Sequence, residues 1–94
     1  DGRKPNDVAV DADGRIAVAF ADGPVEVLDA ASGEQLLRLD GHESGATAVR
    51  FSPDGGRLAT TGYDLVVRVW DARRGNELLA LRGHTTRGSR MQPL

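Results

Sequence analysis

Apolar and polar residues alternate in short runs along most of the chain, and each run ends at a cluster of turn-forming residues. In the second half the runs are ATAVRFS (46–52), RLATTGY (57–63), VVRVWD (66–71) and ELLALR (77–82). Pro53-Asp54-Gly55-Gly56, Asp64-Leu65 and Arg73-Arg74-Gly75-Asn76 separate them. A period of two over four to eight residues, bounded by such residues, predicts β-strands. Val67 and Val69 then share one face of their strand, and Arg68 and Trp70 the other. The first half gives runs at 6–11, 15–21, 24–29 and 35–40, broken at Ala12-Asp13-Gly14, Asp22-Gly23 and Ala31-Ser32-Gly33-Glu34. The expected fold is all-β, built from two four-stranded antiparallel meanders.

The two halves are copies of one unit. VEVLDAASGEQLLRLDGH (Val25 to His42) aligns with VRVWDARRGNELLALRGH (Val67 to His84) at an offset of 42 residues. Upstream, Ala12-Asp13-Gly14-Arg15-Ile16-Ala17 matches Pro53-Asp54-Gly55-Gly56-Arg57-Leu58-Ala59, with one extra glycine in the second copy. The units are expected to span residues 1–42 and 43–84, followed by an irregular tail, 85–94.

The order Gly41-His42, then about 27 residues, then Trp70-Asp71, with FSPDGGRLATTGYDLVVRVWD between and through it, resembles the WD-repeat family. The resemblance implies that each unit is a blade of a β-propeller, a four-stranded sheet running outward from a central axis. It also implies a buried hydrogen-bonded set in the second blade, carried by His42, Thr60, Asp64 and Trp70. The first unit departs from the pattern. Val18 and Leu28 stand where the second unit has Thr60 and Trp70, and no Gly-His precedes its first strand. Asp22 therefore has no histidine from its own N-terminal side, while His84 ends the second unit with no blade after it. The expectation is that His84 of one protomer approaches Asp22 of the next.

Two blades bury one interface and leave two apolar faces, and repeat folds need at least about three units for stability. The chain is either excerpted from a longer propeller or closes a ring with copies of itself. Propellers have about four to eight blades. Two-blade protomers then give a tetramer with eight blades as the first expectation and a trimer with six as the second. Asp64-Leu65 sits where a tight hairpin favours Asp-Gly. A primed turn needs positive φ, which costs a residue with a β-carbon about 1 kcal/mol. Leu65 is expected to take a different turn or to bury its side chain against a neighbouring chain as an assembly residue.

Composition changes this picture little. The 94 residues carry a net charge of −2 with both signs dispersed, which argues against nucleic-acid and anionic-membrane partners. There is no cysteine, so neither disulfides nor thiolate metal sites arise. No apolar run is long enough to span a bilayer, and a cytoplasmic location is expected. Lys4 is the only lysine beside eleven arginines, a bias compatible with a GC-rich bacterial genome.

Reactive constellations fare worse than structural ones. His42, Thr60 and Asp64 have the residue types of a nucleophilic triad, but no Gly-x-Ser-x-Gly elbow occurs, and Gly41-His42-Glu43-Ser44-Gly45 places Ser one position too late. No catalytic residue, metal or cofactor is expected. His42 and His84 lie one repeat apart and lack further zinc ligands. Aligning Gly14 with the sixth position of a calcium loop leaves Ala9 and Phe20 where a carboxylate belongs, so a β-turn is the reading there. The leading function, implied by the family resemblance, is a non-catalytic interaction scaffold that also binds copies of itself. The face for other proteins or peptides would hold Tyr63, Glu43 and Ser44. The rival is a self-assembling propeller fragment, natural or engineered, with no dedicated ligand.

Overall fold

The computed structural model describes residues 4–42 and 44–82. Within them lie eight strands: β1 (Pro5–Val10), β2 (Arg15–Phe20), β3 (Val25–Asp29), β4 (Gln35–Leu39), β5 (Ala46–Phe51), β6 (Arg57–Gly62), β7 (Val66–Asp71) and β8 (Glu77–Arg82). They form two four-stranded sheets of order β1-β2-β3-β4 and β5-β6-β7-β8. All pairings are antiparallel between neighbours in sequence, as short turns require. The strands start and stop within a residue or so of the runs of alternating polarity, because turns rich in Gly, Asp and Pro punctuate both.

Register explains which residues become core. In the first sheet Ala9, Ala17, Val27 and Leu37 lie in one cross-strand row, and Ala19, Val25 and Leu39 in the next. In the second sheet Phe51, Leu58 and Trp70 form one row, with Val49 and Thr60 beside them. These two faces meet, and Ala17, Ala19, Val25, Val27, Leu39, Ala46, Val49, Leu58, Trp70 and Ala72 form one buried cluster. Each fully buried Val or Leu contributes about 1.5–3 kcal/mol. Only one face of each sheet is covered in this way. On the reverse of the first sheet Val8 and Val10 are exposed, and on the reverse of the second so are Val67, Leu79 and Leu81.

Polar contacts fix how the sheets meet. A bulge in β1 between Pro5 and Asp7 turns the Asp7 carboxylate toward both inner strands. Its Oδ1 accepts from Val8 N and its Oδ2 from Val49 N, each at 3.0 Å, and Oδ2 also accepts from the Arg50 guanidinium. At the opposite end of the inner strands Asp11 holds the Arg15 guanidinium through Nε at 2.7 Å. Arg15 then donates across the interface to the carbonyls of Ala72 and Gly55 and lies 5.3 Å from the centre of the Phe51 ring. Gly45 takes φ +101° beneath the Ala21 carbonyl, where any β-carbon would overlap that oxygen.

The β6–β7 turn is a different turn from the two-residue primed hairpin, the first of the two outcomes expected for Leu65. Leu65 N donates to Gly62 O at 3.1 Å, so the loop holds three residues, Tyr63-Asp64-Leu65, and Leu65 closes it with φ 64°. A three-residue hairpin puts its left-handed residue last, where glycine is usual. The Leu65 side chain is 63% exposed in the single chain.

Candidate functional site

The second sheet brings His42, Thr60, Asp64 and Trp70 into one hydrogen-bonded chain. Thr60 and Trp70 point into the inter-sheet core from neighbouring strands; His42 enters from the segment before β5, and Asp64 from the β6–β7 turn. Trp70 Nε1 donates to Thr60 Oγ1 at 3.0 Å. Thr60 Oγ1 lies 2.7 Å from His42 Nε2, and His42 Nδ1 lies 3.1 Å from Asp64 Oδ1. The same Asp64 oxygen accepts from Val66 N at 3.2 Å. An ionised carboxylate only accepts, so the network assigns the imidazole proton to Nδ1. Nε2 then accepts from the Thr60 hydroxyl, whose oxygen is left to receive the indole N–H. The ring nitrogens of His42, the Thr60 hydroxyl and the Trp70 indole N–H all have partners, as their burial demands.

This geometry suits bracing more than reaction. Thr60 is 1% exposed, and its hydroxyl is enclosed between an imidazole and an indole. The network instead joins β6, β7, the turn between them and the linker from the first sheet. Two glycines, Gly41 and Gly62, make room for it. A β-carbon at Gly62 would lie 2.5 Å from His42 Nδ1, and one at Gly41 would lie 2.7 Å from the outer edge of the Trp70 ring. Gly41 was visible as half of a motif. Gly62 had no signal beyond its place in a strand, where glycine often marks a close approach.

The first sheet has no such chain. Its register sets Val18 beside Glu26 and Ile16 beside Leu28, so the places of Thr60 and Trp70 are apolar. Asp22 is exposed in the β2–β3 turn. His84, its expected partner from another protomer, lies outside the described residues, as does the tail 85–94.

Of the face residues, Tyr63 is 54% exposed. Its hydroxyl accepts from Asn6 Nδ2 at 3.0 Å, and the same amide donates to Ala46 O at 2.9 Å. Tyr63 therefore spans the rim between the sheets instead of only covering its own turn. Ser44 is exposed on the β4–β5 linker, next to Gly45, whose carbonyl accepts from Tyr63 N at 3.2 Å; Glu43 lies outside the described residues.

Asp7 and Asp11, at the two ends of β1, have lowered carboxyls, as do Asp54 and Asp71 in the turns of the second sheet. The Val49 amide is the largest influence on Asp7 and, with Arg50 and the Val8 amide, holds its carboxyl below the usual carboxylate range against partial burial. For Asp11 burial is the largest influence and pushes upward, but the amides of Arg15 and Asp13 and the Arg15 guanidinium outweigh it, and the net direction is down. Asp11 Oδ1 accepts from Asp13 N and Arg15 N at 2.9 and 2.8 Å, so the calcium-like stretch is a side-chain-capped turn. Among the described residues no group of three or more metal-binding side chains converges. The available signal was positional: Arg15 and Arg57 occupy the same place in both units.

With this geometry in view, residues 33–71 match the family described as WD domain, G-beta repeat. No curated protein matches the chain. The matched segment runs from the last turn of the first sheet to the end of β7, so the chain resembles a WD repeat there, across two tandem four-stranded sheets.

Proposed function

We propose that this WD-repeat chain is a non-catalytic protein–protein interaction module whose two blades complete a propeller by self-association. The ring would hold eight blades as a tetramer or, second, six as a trimer. One observation carries the reading: each blade buries one apolar face against the other and leaves the opposite face bare, with Val8 and Val10 on one side and Val67, Leu79 and Leu81 on the other. Contiguous apolar sheet surface of this kind marks an association site. In such a ring His84 of one protomer stands beside Asp22 of the next, supplying the pairing that His42 makes with Asp64 within the chain. The rim around Tyr63 and Ser44, with Glu43 assigned to it from the sequence, is the face offered to other proteins, and tyrosine there has the area and hydroxyl of an interface anchor.

Mass settles the first part. Light scattering across a range of concentrations is expected to give three or four times the protomer mass; a protomer mass throughout refutes self-assembly. For the second part, Tyr63→Ala is expected to remove captured partners without changing the oligomer mass, and unchanged capture refutes the assignment of the face.

A further inference from the structure

The repeat that builds the buried interface also writes half of a second one on each outer face. Within the chain the second blade receives the first through four positions. Arg15 reaches the carbonyls of Ala72 and Gly55. Leu37 rests on Gly75, where a β-carbon would lie 3.0 Å from Leu37 Cδ2. Leu39 and Val25 are buried to 2% and 1% exposure. One repeat later the donors of these contacts are Arg57, Leu79, Leu81 and Val67, and all four are exposed. One repeat earlier their receivers are Ala30, Gly33 and the turn at Gly14. Ala72 is fully buried while Ala30 is exposed. Gly14 and Gly33 keep positive φ, as Gly55 and Gly75 do, yet a β-carbon on either would meet nothing within 4 Å. The donor surface and the receiving surface are therefore both present, both empty, and on opposite sides of one chain.

Resting on the self-association reading, we infer that a second copy of this chain docks head to tail, its first blade on the second blade of its neighbour. Arg57 is the clasp: its guanidinium donates to the Ala30 carbonyl and the Gly14 turn of the next copy, and Leu79 seats on that copy's Gly33. Among the described residues the Arg57 guanidinium makes no hydrogen bond, and it stands near the carboxylates of Asp54 and Asp71. The one departure from repetition removes a conflict. Ala48 replaces Asp7 at the bulge, so the second blade offers no carboxylate to the Val8 amide of the next copy; that amide is already held by Asp7 of its own chain. A cyclic arrangement with one surface on each side is the heterologous kind that closes into rings.

Two blocked forms of the full chain test it. Leu79→Asp with Leu81→Asp charges the donor face, and Val8→Asp with Val10→Asp charges the receiving face. All four positions are exposed in the single chain, and circular dichroism checks that each form folds; the single changes Leu79→Lys and Val10→Lys replace a pair that does not. Each form alone is expected to be monomeric, and an equimolar mixture is expected to give a 1:1 dimer and nothing larger. In the unblocked chain Arg57→Gln is expected to raise the dissociation constant at least about tenfold, since it removes charge-assisted hydrogen bonds. If the unblocked chain is monomeric at every concentration, self-association itself falls. If it assembles but the blocked forms do not pair, or one blocked form still assembles alone, the head-to-tail docking is overturned while self-association stands. If Arg57→Gln assembles as tightly as the parent, the clasp is overturned alone.

Discussion

Replacing Thr60 by Val keeps the shape of the side chain and removes one oxygen. That oxygen receives the indole N–H of Trp70 and lies 2.7 Å from His42 Nε2. Both partners are then stranded in a site where Trp70 is 4% and His42 8% exposed, with no room for water beside a 1% exposed threonine. Each stranded buried group costs about 1–3 kcal/mol. Some of this relaxes, and the extra methyl adds a little apolar burial, so the net loss is about 3 kcal/mol. For a domain of this size that lowers the melting temperature by roughly 12–24 °C. The assay is thermal and urea unfolding followed by Trp70 fluorescence at one fixed protein concentration, since self-association would shift the transition. A double-mutant cycle with Trp70→Phe isolates the indole bond and is expected to show about 1 kcal/mol of coupling. A Thr60→Val loss below about 0.5 kcal/mol, or strict additivity with Trp70→Phe, refutes the brace.

Other outcomes follow from single backbone and charge features. Leu65→Gly relieves φ 64° at an exposed side chain and is expected to stabilise the chain by about 0.5–1 kcal/mol in urea titration; a fall in oligomer mass instead would make Leu65 an assembly residue. Gly62→Ala drives a β-carbon into His42 and is expected to cost as much as Thr60→Val or more, measured by the same melt. The carboxyls of Asp7 and Asp11 are lowered from 3.8 in the folded chain. A lowered value means that stability is complete above the unfolded value and is lost as pH falls through the folded one. Acid is therefore expected to loosen the blades below about pH 4, and Asp7→Asn with Asp11→Asn to flatten that acid limb in pH-dependent melts.

The sequence by itself determined the strands, because alternation and turn residues are local signals read by the backbone without help from distant contacts. It determined the repeat too, since two copies of one unit align at a fixed offset, and the resemblance of the second copy to the WD-repeat family implied the four members of the brace. It did not determine the turn at Leu65, because a three-residue loop ending in positive φ and a two-residue primed turn present nearly the same residues. Nor did it expose the Asp7 and Arg15 contacts, which join residues 42 and 57 positions apart and depend on a bulge and on how two twisted sheets meet. Gly62 looked like any strand glycine until a histidine ring was found above it. Tertiary structure decided which apolar face of each blade is buried. Both faces of both blades carry Val and Leu at the same period, and only the packing of the pair distinguishes the covered face from the bare one.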